Sequence, residues 1–139
     1  ELADAASALD WLQQMNPDAR EVWVGGFSFG AYIAMQLLMR RPEIDRFIAI
    51  APPAHMYDFN FLAPCPSSGI IVQGDGDQIV PISSVDKLVD KLKLQKDIVV
   101  DYRVMKGAGH FFQAEQQDLD DMIDDYIARE LSPAESAAA

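Results

Sequence analysis

Cysteine is nearly absent from this chain. Cys65 is the only one in 139 residues, so no intramolecular disulfide can form and zinc cannot be held by a set of thiolates. A reducing compartment suits such a chain, and a cytoplasmic location is the expectation. Set between Pro64 and Pro66, the lone thiol reads as a buried or half-buried loop residue, not a reactive group. Cations are scarce too: 11 Lys and Arg stand against 22 Asp and Glu, a formal net charge of −11 at pH 7. That charge repels phosphate backbones and anionic headgroups, which argues against nucleic acid and membrane surfaces as partners. The densest acidic group, Asp118, Asp120, Asp121, Asp124 and Asp125, reads as a solvated helix face. No apolar run is long enough to span a bilayer, and no charged-then-apolar leader is present, although a chain that begins at Glu1 says little about the native start. Histidine is limited to His55 and His110. With those two far apart and the carboxylates scattered, no group has metal-ligand spacing, and neither a metal nor a cofactor is expected.

Apolar residues, by contrast, make up 50% of the sequence, enough for one core. A single domain is expected over residues 1–131, with a frayed tail over 132–139. Leu2, Ala5, Leu9 and Leu12, with Ala8 beside them, recur at helical spacing, and Asn16-Pro17 stops that helix. Residues 22–25 (Val22, Trp23, Val24, Gly25) read as a short buried strand. An almost wholly apolar helix follows, from Ala31 to the stop at Pro42. Residues 47–51 form a second strand with no polar interruption, as in a central parallel strand. A third strand is expected over 69–73 and a fourth over 98–105. Between these two, Ser83 or Ser84 would cap a helix burying Val85, Leu88, Val89 and Leu92; Leu119, Met122, Ile123, Tyr126 and Ile127 define a last helix. The alternation of strand and helix calls for an α/β fold: a parallel sheet of about four strands with helices on both faces.

The stretch on which function turns is Gly26-Phe27-Ser28-Phe29-Gly30, between the first strand and the apolar helix. A G-x-S-x-G at a strand-to-helix junction makes a sharp turn that thrusts the serine out of the sheet edge, with small residues where backbone must pass close. In a parallel sheet the strand-to-helix loops emerge on one edge. Those loops hold Ser28, then Asp75 and Asp77, then His110. A serine hydroxyl needs a nearby base, which imidazole supplies, and a carboxylate fixes the imidazole tautomer. Ser28, Asp77 and His110 thus make a candidate catalytic set. His55, after the second strand, reads as a surface or pocket-wall residue, and Phe111 and Phe112 as core anchors for the last loop, with the alternative that either shapes the pocket.

Together the segments Gly26-Phe27-Ser28-Phe29-Gly30-Ala31, Gly74-Asp75-Gly76-Asp77-Gln78-Ile79-Val80-Pro81 and Gly107-Ala108-Gly109-His110-Phe111-Phe112 resemble the α/β-hydrolase superfamily. The likeness is to its small lidless bacterial branch, near the dienelactone-hydrolase-like esterases, and it runs over nearly the whole chain. The resemblance implies Asp77 as the acid, by its G-x-x-D-x-x-V-P setting, in preference to Asp75, and the Phe29 N–H as one oxyanion donor. It also implies that the chain is the C-terminal part of the fold, because the family has further strands before the first helix. On that reading the strand at 22–25 is an open edge, to be covered by an N-terminal portion or paired in a homodimer. A second oxyanion donor would be missing, so weak turnover is expected of this chain alone.

The leading functional expectation is therefore a serine hydrolase cleaving a carboxylic ester or related acyl compound through an acyl-enzyme. The partner is then a small-molecule substrate. The stretch 52–68, with four prolines, no clear period and the exposed-looking aromatics Tyr57, Phe59 and Phe61, reads either as an irregular crossover packed over the core or as a wall or lid of the substrate pocket, with Phe27, Tyr57, Phe59 and Phe61 as lining candidates. Two other readings stand beside it. One is a non-catalytic α/β module that assembles through its open edge, and the other is a thioesterase or peptidase on the same scaffold.

Overall fold

The computed structural model describes residues 1–131; the tail expected at 132–139 lies outside the described residues. The elements follow in the order α1 (Leu2–Met15), β1 (Trp23–Phe27), α2 (Phe29–Arg40), β2 (Arg46–Ile50), a single 3-10 turn (Asn60–Leu62), β3 (Ser68–Gly74), α3 (Ile82–Lys93), β4 (Val100–Met105) and α4 (Gln116–Glu130). The strands form one four-stranded sheet in the order β1-β2-β3-β4, and every pair is parallel. The fold is the α/β class that the alternation of apolar runs calls for, with each strand within two residues of its expected limits. Among the described residues no helix is long and apolar enough to cross a membrane.

Side chains alternate across a strand, and β3 shows what this does to the core. Ile71 faces a cluster that includes Ala31, Met35 and Leu38 of α2, Val85, Leu88 and Leu92 of α3, and Leu9 of α1. Ile70 and Val72 face the opposite cluster, with Met105, Phe112 and Tyr126. Helices therefore cover both faces, α1, α2 and α3 on one and α4 on the other. α1 is also tied to the end of α2 by Arg41, which donates to Asp10 Oδ1 at 2.7 Å and Glu43 Oε2 at 2.7 Å.

Three local expectations need correction. Leu12 and Ala8 do not join the buried stripe of α1. Leu9 is buried, whereas Leu12 is 51% exposed beside Trp11 and Met15 at 59% and 62%, because α2 reaches only the face that carries Leu2, Ala5 and Leu9. Neither Ser83 nor Ser84 caps α3. The helix already starts at Ile82, after Pro81, and the Ser84 hydroxyl instead donates back to the Pro81 carbonyl at 2.6 Å. Phe59 does not lie open in the 52–68 stretch; it is buried, and Tyr57 and Phe61 are half-buried around Tyr32.

β1 pairs only with β2 among the described strands, in a register that sets Trp23 beside Arg46 and Phe27 beside Ile50. Among the described residues its outer side has no strand partner, and Gly25 and Phe27 are exposed.

Candidate active site

The turn between β1 and α2 is as sharp as its sequence demands. Ser28 has φ 55° and ψ −122°, a left-handed backbone that a side chain tolerates only when its surroundings enforce it. The enforcement is visible. The Ser28 N–H donates to the Ile50 carbonyl at 2.8 Å, and the Ser28 carbonyl already accepts the N–H of Ala31 at 2.9 Å. The residue thus completes the sheet ladder and opens the helix at once. Gly26 is required sterically, since a Cβ there would lie 2.2 Å from the Gly30 carbonyl oxygen. Gly30 is different, because a Cβ there meets nothing within 4 Å among the described residues.

Ser28, Asp77 and His110 come together at the carboxyl edge of the sheet. His110 Nδ1 is 2.8 Å from Asp77 Oδ2 and His110 Nε2 is 3.0 Å from Ser28 Oγ. A carboxylate can only accept, so Nδ1 carries the imidazole proton and Nε2 is left as the acceptor for the serine hydroxyl. The two deeper partners are shielded from water, the side chain of His110 being 6% exposed and that of Asp77 0%. Burial alone would raise the Asp77 carboxyl. The N–H of Val80, the His110 ring and the N–H of Ile79 outweigh it and hold the group below the ordinary carboxylate range. The two amides donate to Oδ1 at 2.7 and 2.8 Å, and the Gln73 Nε2 reaches Oδ2 at 3.1 Å. Asp77 is therefore a solvent-free carboxylate with every nearby donor aimed at it.

Asp75, the other acid of this loop, is exposed and does not reach His110. It accepts the Gly107 N–H at 2.6 Å, tying the acid loop to the histidine loop. The same junction brings the Gly76 N–H to the Ala108 carbonyl at 3.0 Å. A Cβ on Gly74 would sit 2.3 Å from that carbonyl oxygen, so glycine is what lets the loops touch.

Aromatic rings flank the serine on two sides. Phe27 lies with its ring centroid 5.0 Å from that of His110 and 6.0 Å from that of Phe111. Phe29, which opens α2 and whose N–H has no acceptor within the helix, contacts Tyr57 at 5.5 Å and Tyr32 at 6.2 Å. Phe59 and Phe61 stand farther back, against Tyr32. Phe112 anchors the last loop in the core as expected, but Phe111 does not; it is 58% exposed and meets His110 edge-on. A cavity of about 470 Å³ opens between the 52–68 stretch and α3, with Tyr57, Phe59, Leu62, Lys87, Lys91 and His55 in its walls, and Ser28 is not among its lining residues. Cys65 is buried and its thiol pushed up by that burial, as befits an inert packing residue. Among the described residues, no three His, Cys, Asp or Glu side chains are grouped to hold a metal ion.

Sequence reasoning passed over Gln73 and the loop tie made by Asp75. Gln73 left a signal: it is the one polar residue closing an otherwise apolar strand, at a position that should face the core. Asp75 left none, because a carboxylate in a glycine-rich loop is ordinary turn chemistry.

The fold recurs in known proteins. An uncharacterized protein of Rickettsia prowazekii is 53% identical over 131 residues, which is 91% of this chain and 55% of that protein. A crystal structure of a protein of unknown function from Agrobacterium tumefaciens superposes with a TM-score of 0.91 at 55% identity, covering 94% of this chain and 60% of that one. A Xanthomonas campestris protein described as an α/β serine hydrolase without a lid gives a TM-score of 0.83 at 30% identity, over 96% of this chain and 57% of that one. The chain thus spans little more than half the length of these relatives. The profile of the dienelactone hydrolase family matches residues 1–138, and with the fold and the loops agreeing, the chain belongs to that family of α/β hydrolases.

Proposed function

We propose that Ser28, His110 and Asp77 are the nucleophile, base and acid of a serine hydrolase that cleaves a carboxylic ester or related acyl compound. The observation that carries this reading is the unbroken line from Asp77 Oδ2 to His110 Nδ1 at 2.8 Å and from His110 Nε2 to Ser28 Oγ at 3.0 Å. Both spacings lie within direct proton-transfer reach.

The chemistry follows from those contacts. Ser28 Oγ attacks the acyl carbon while its proton passes to His110 Nε2, and the carbonyl electron pair moves onto oxygen. Asp77 stabilises the imidazolium that results. The Phe29 N–H, at the start of α2, is the oxyanion donor this chain supplies. Collapse breaks the bond to the leaving alkoxide, which departs as an alcohol with the proton from Nε2. Water then attacks the acyl-serine, Nε2 takes its proton and returns it to Ser28 Oγ, and the acid leaves. Phe27 and Tyr57, flanking the serine through His110 and Phe29, are the proposed walls for an apolar acyl or alcohol group.

An organophosphorus acylating probe tests the proposal. Stoichiometric labelling of Ser28 in the full-length gene product is expected, and abolished in Ser28→Ala. A folded full-length protein that does not label would sink the reading. Rates on matched ester, thioester and amide substrates assign the acyl class, since the same three side chains serve all three reactions.

A second reading, assembly through the free side of β1, has its own support in the absence of a strand partner there among the described residues. An open edge pairs readily with another chain. Size-exclusion chromatography across a concentration series decides it, with a concentration-independent monomer counting against edge pairing.

A further inference from the structure

Gln73 ends the apolar run of β3 and is fully buried, at 0% exposure. Its Nε2 faces three acceptors: Asp77 Oδ2 at 3.1 Å, the Val80 carbonyl at 3.1 Å and the Gly74 carbonyl at 3.2 Å. Turning the amide over would place its own carbonyl oxygen against all three, so the neighbours fix its orientation. On the other side Oε1 has no hydrogen-bond partner. A buried acceptor left unpaired is a cost that an apolar side chain of the same size would not incur. A local rule broken in this way, beside a candidate catalytic acid, calls for a functional account.

We propose that Gln73 is a positioning residue that acts through Asp77, orienting the carboxylate that holds His110. The inference rests on the reading of Ser28, His110 and Asp77 given above. Asp77 Oδ1 is held by the backbone amides of Ile79 and Val80. Among the described residues Oδ2 has two donors, the His110 ring and Gln73. Without Gln73, the oxygen that must aim Nδ1 is held by the imidazole it is meant to aim. The amide supplies a fixed donor from the sheet, where backbone hydrogen bonds leave little freedom to move. Charge-assisted donation to a carboxylate is the strongest of the three bonds open to Nε2.

The competing account is that Gln73 merely closes the loop by binding the carbonyls at its two ends. Two substitutions in the full-length gene product separate these roles. Gln73→Met keeps the volume and removes the donor. Gln73→Glu presses a second carboxyl against Asp77, where like-charge repulsion and burial make it take up a proton. Its single O–H then goes to the carboxylate and leaves both carbonyls unserved. The readouts are kcat and KM on a p-nitrophenyl ester, the melting temperature, and the downfield proton resonance of His110 Nδ1–H.

For Gln73→Met we expect kcat to fall about ten- to a hundredfold with KM unchanged, and the Nδ1–H resonance to shift or broaden. Gln73→Glu is expected to recover most of both. A Met variant with wild-type kcat and resonance overturns the proposal, as does a folded Glu variant no better than Met. Should Met fail to fold, the Glu variant decides alone by the same two readouts; if neither folds, the amide is a structural tie and the proposal falls. A wild-type protein inert toward every acyl substrate would instead refute the proposed function. The resonance arm still reports on Gln73 in that case, because it reads the Asp77–His110 bond without turnover.

Discussion

Replacing Gly74 by alanine tests whether the contact between the acid and histidine loops sets the catalytic geometry. The added Cβ would lie 2.3 Å from the Ala108 carbonyl oxygen, 2.8 Å from its carbon and 3.0 Å from the Ala108 Cβ, where ordinary contact begins at 3.4 Å. The shortfall against the oxygen is about 1 Å. The obstacle is backbone, which cannot rotate aside as a side chain would, so one loop must back away by roughly that distance. Ala108 precedes His110 by two residues, and the 3.0 Å reach from His110 Nε2 to Ser28 Oγ has no slack to absorb such a shift. We therefore expect a stability loss of about 1–3 kcal/mol from overpacking, or roughly 3–10 °C in Tm. A loss of about 100-fold in kcat should accompany it, as a 1 Å misplacement can cause. Gly109→Ala is the control, because a Cβ there meets nothing within 4 Å among the described residues, and it should change neither quantity much. Thermal unfolding, ester turnover and the rate of Ser28 labelling measure the outcome. A Gly74→Ala protein with lowered Tm but wild-type kcat and labelling would refute the reasoning.

The two carboxylates of the same loop should separate cleanly by kinetics. Asp77→Asn is expected to cost about 10⁴-fold in kcat by favouring the wrong imidazole tautomer, whereas Asp75→Ala should cost less than about tenfold and about 1 kcal/mol, the worth of its bond to the Gly107 N–H; the reverse ranking would reassign the acid. In acid the informative carboxyl is that of Glu43, which accepts from Arg41 at the end of α2 and from Gln13 of α1. Glu43 is held down to about 2 by the Arg41 guanidinium and further donors. With its folded value lowered, its contribution is fully present above the ordinary glutamate value and is lost as pH falls through about 2. Carboxyl titration by NMR should show the low midpoint in the wild type, and Arg41→Ala should move it toward the unperturbed value near 4.3. Asp77 is also lowered, so its contribution to folding has the same sign and is likewise lost on the acid side.

How much of this was legible beforehand depended on which physical variable a residue reports. Strands at β2 and β3 announced themselves as continuous apolar runs, because a parallel strand buried on both faces has no polar side to show. Ser28, Asp77 and His110 could be gathered without coordinates, since parallel topology delivers their loops to one edge and chemistry limits the residue types. Burial at a single position was harder. Periodicity marks Leu12 as a residue that could be buried with Leu9, but whether a neighbour arrives over it depends on packing against α2, and Leu12 is left 51% exposed. Capping failed for a related reason: Ser83 and Ser84 have the right chemistry, yet Pro81 already fixes a backbone from which α3 can start. Gln73 was legible as an anomaly in an apolar strand, but its partner across the loop was not.

The features least visible in the sequence share one cause, the sign of a backbone angle. Among the described residues, three non-glycine positions have positive φ: Ser28 at 55°, Ala51 at 51° and Phe112 at 50°. Ser28 and Ala51 directly follow the carboxyl ends of β1 and β2, and Phe112 lies in the loop after β4 that carries His110. Such conformations cost of order 1–3 kcal/mol each and persist only where the surroundings over-determine them. At Ser28 the G-x-S-x-G pattern predicts the strain. At Ala51 and Phe112 no residue type does, because glycine, which would have flagged it, is not used. The consequence is concrete at Phe112. Its turned backbone accompanies an inward side chain, 2% exposed among Met105 and Tyr126, while Phe111 beside it lies outward against His110 and Phe27. Two adjacent aromatics that look interchangeable in the sequence thus divide the work, one holding the histidine loop to the core and the other walling the histidine itself. A pattern of residue types can locate such an edge, but the backbone turns decide which side chain on it faces the chemistry.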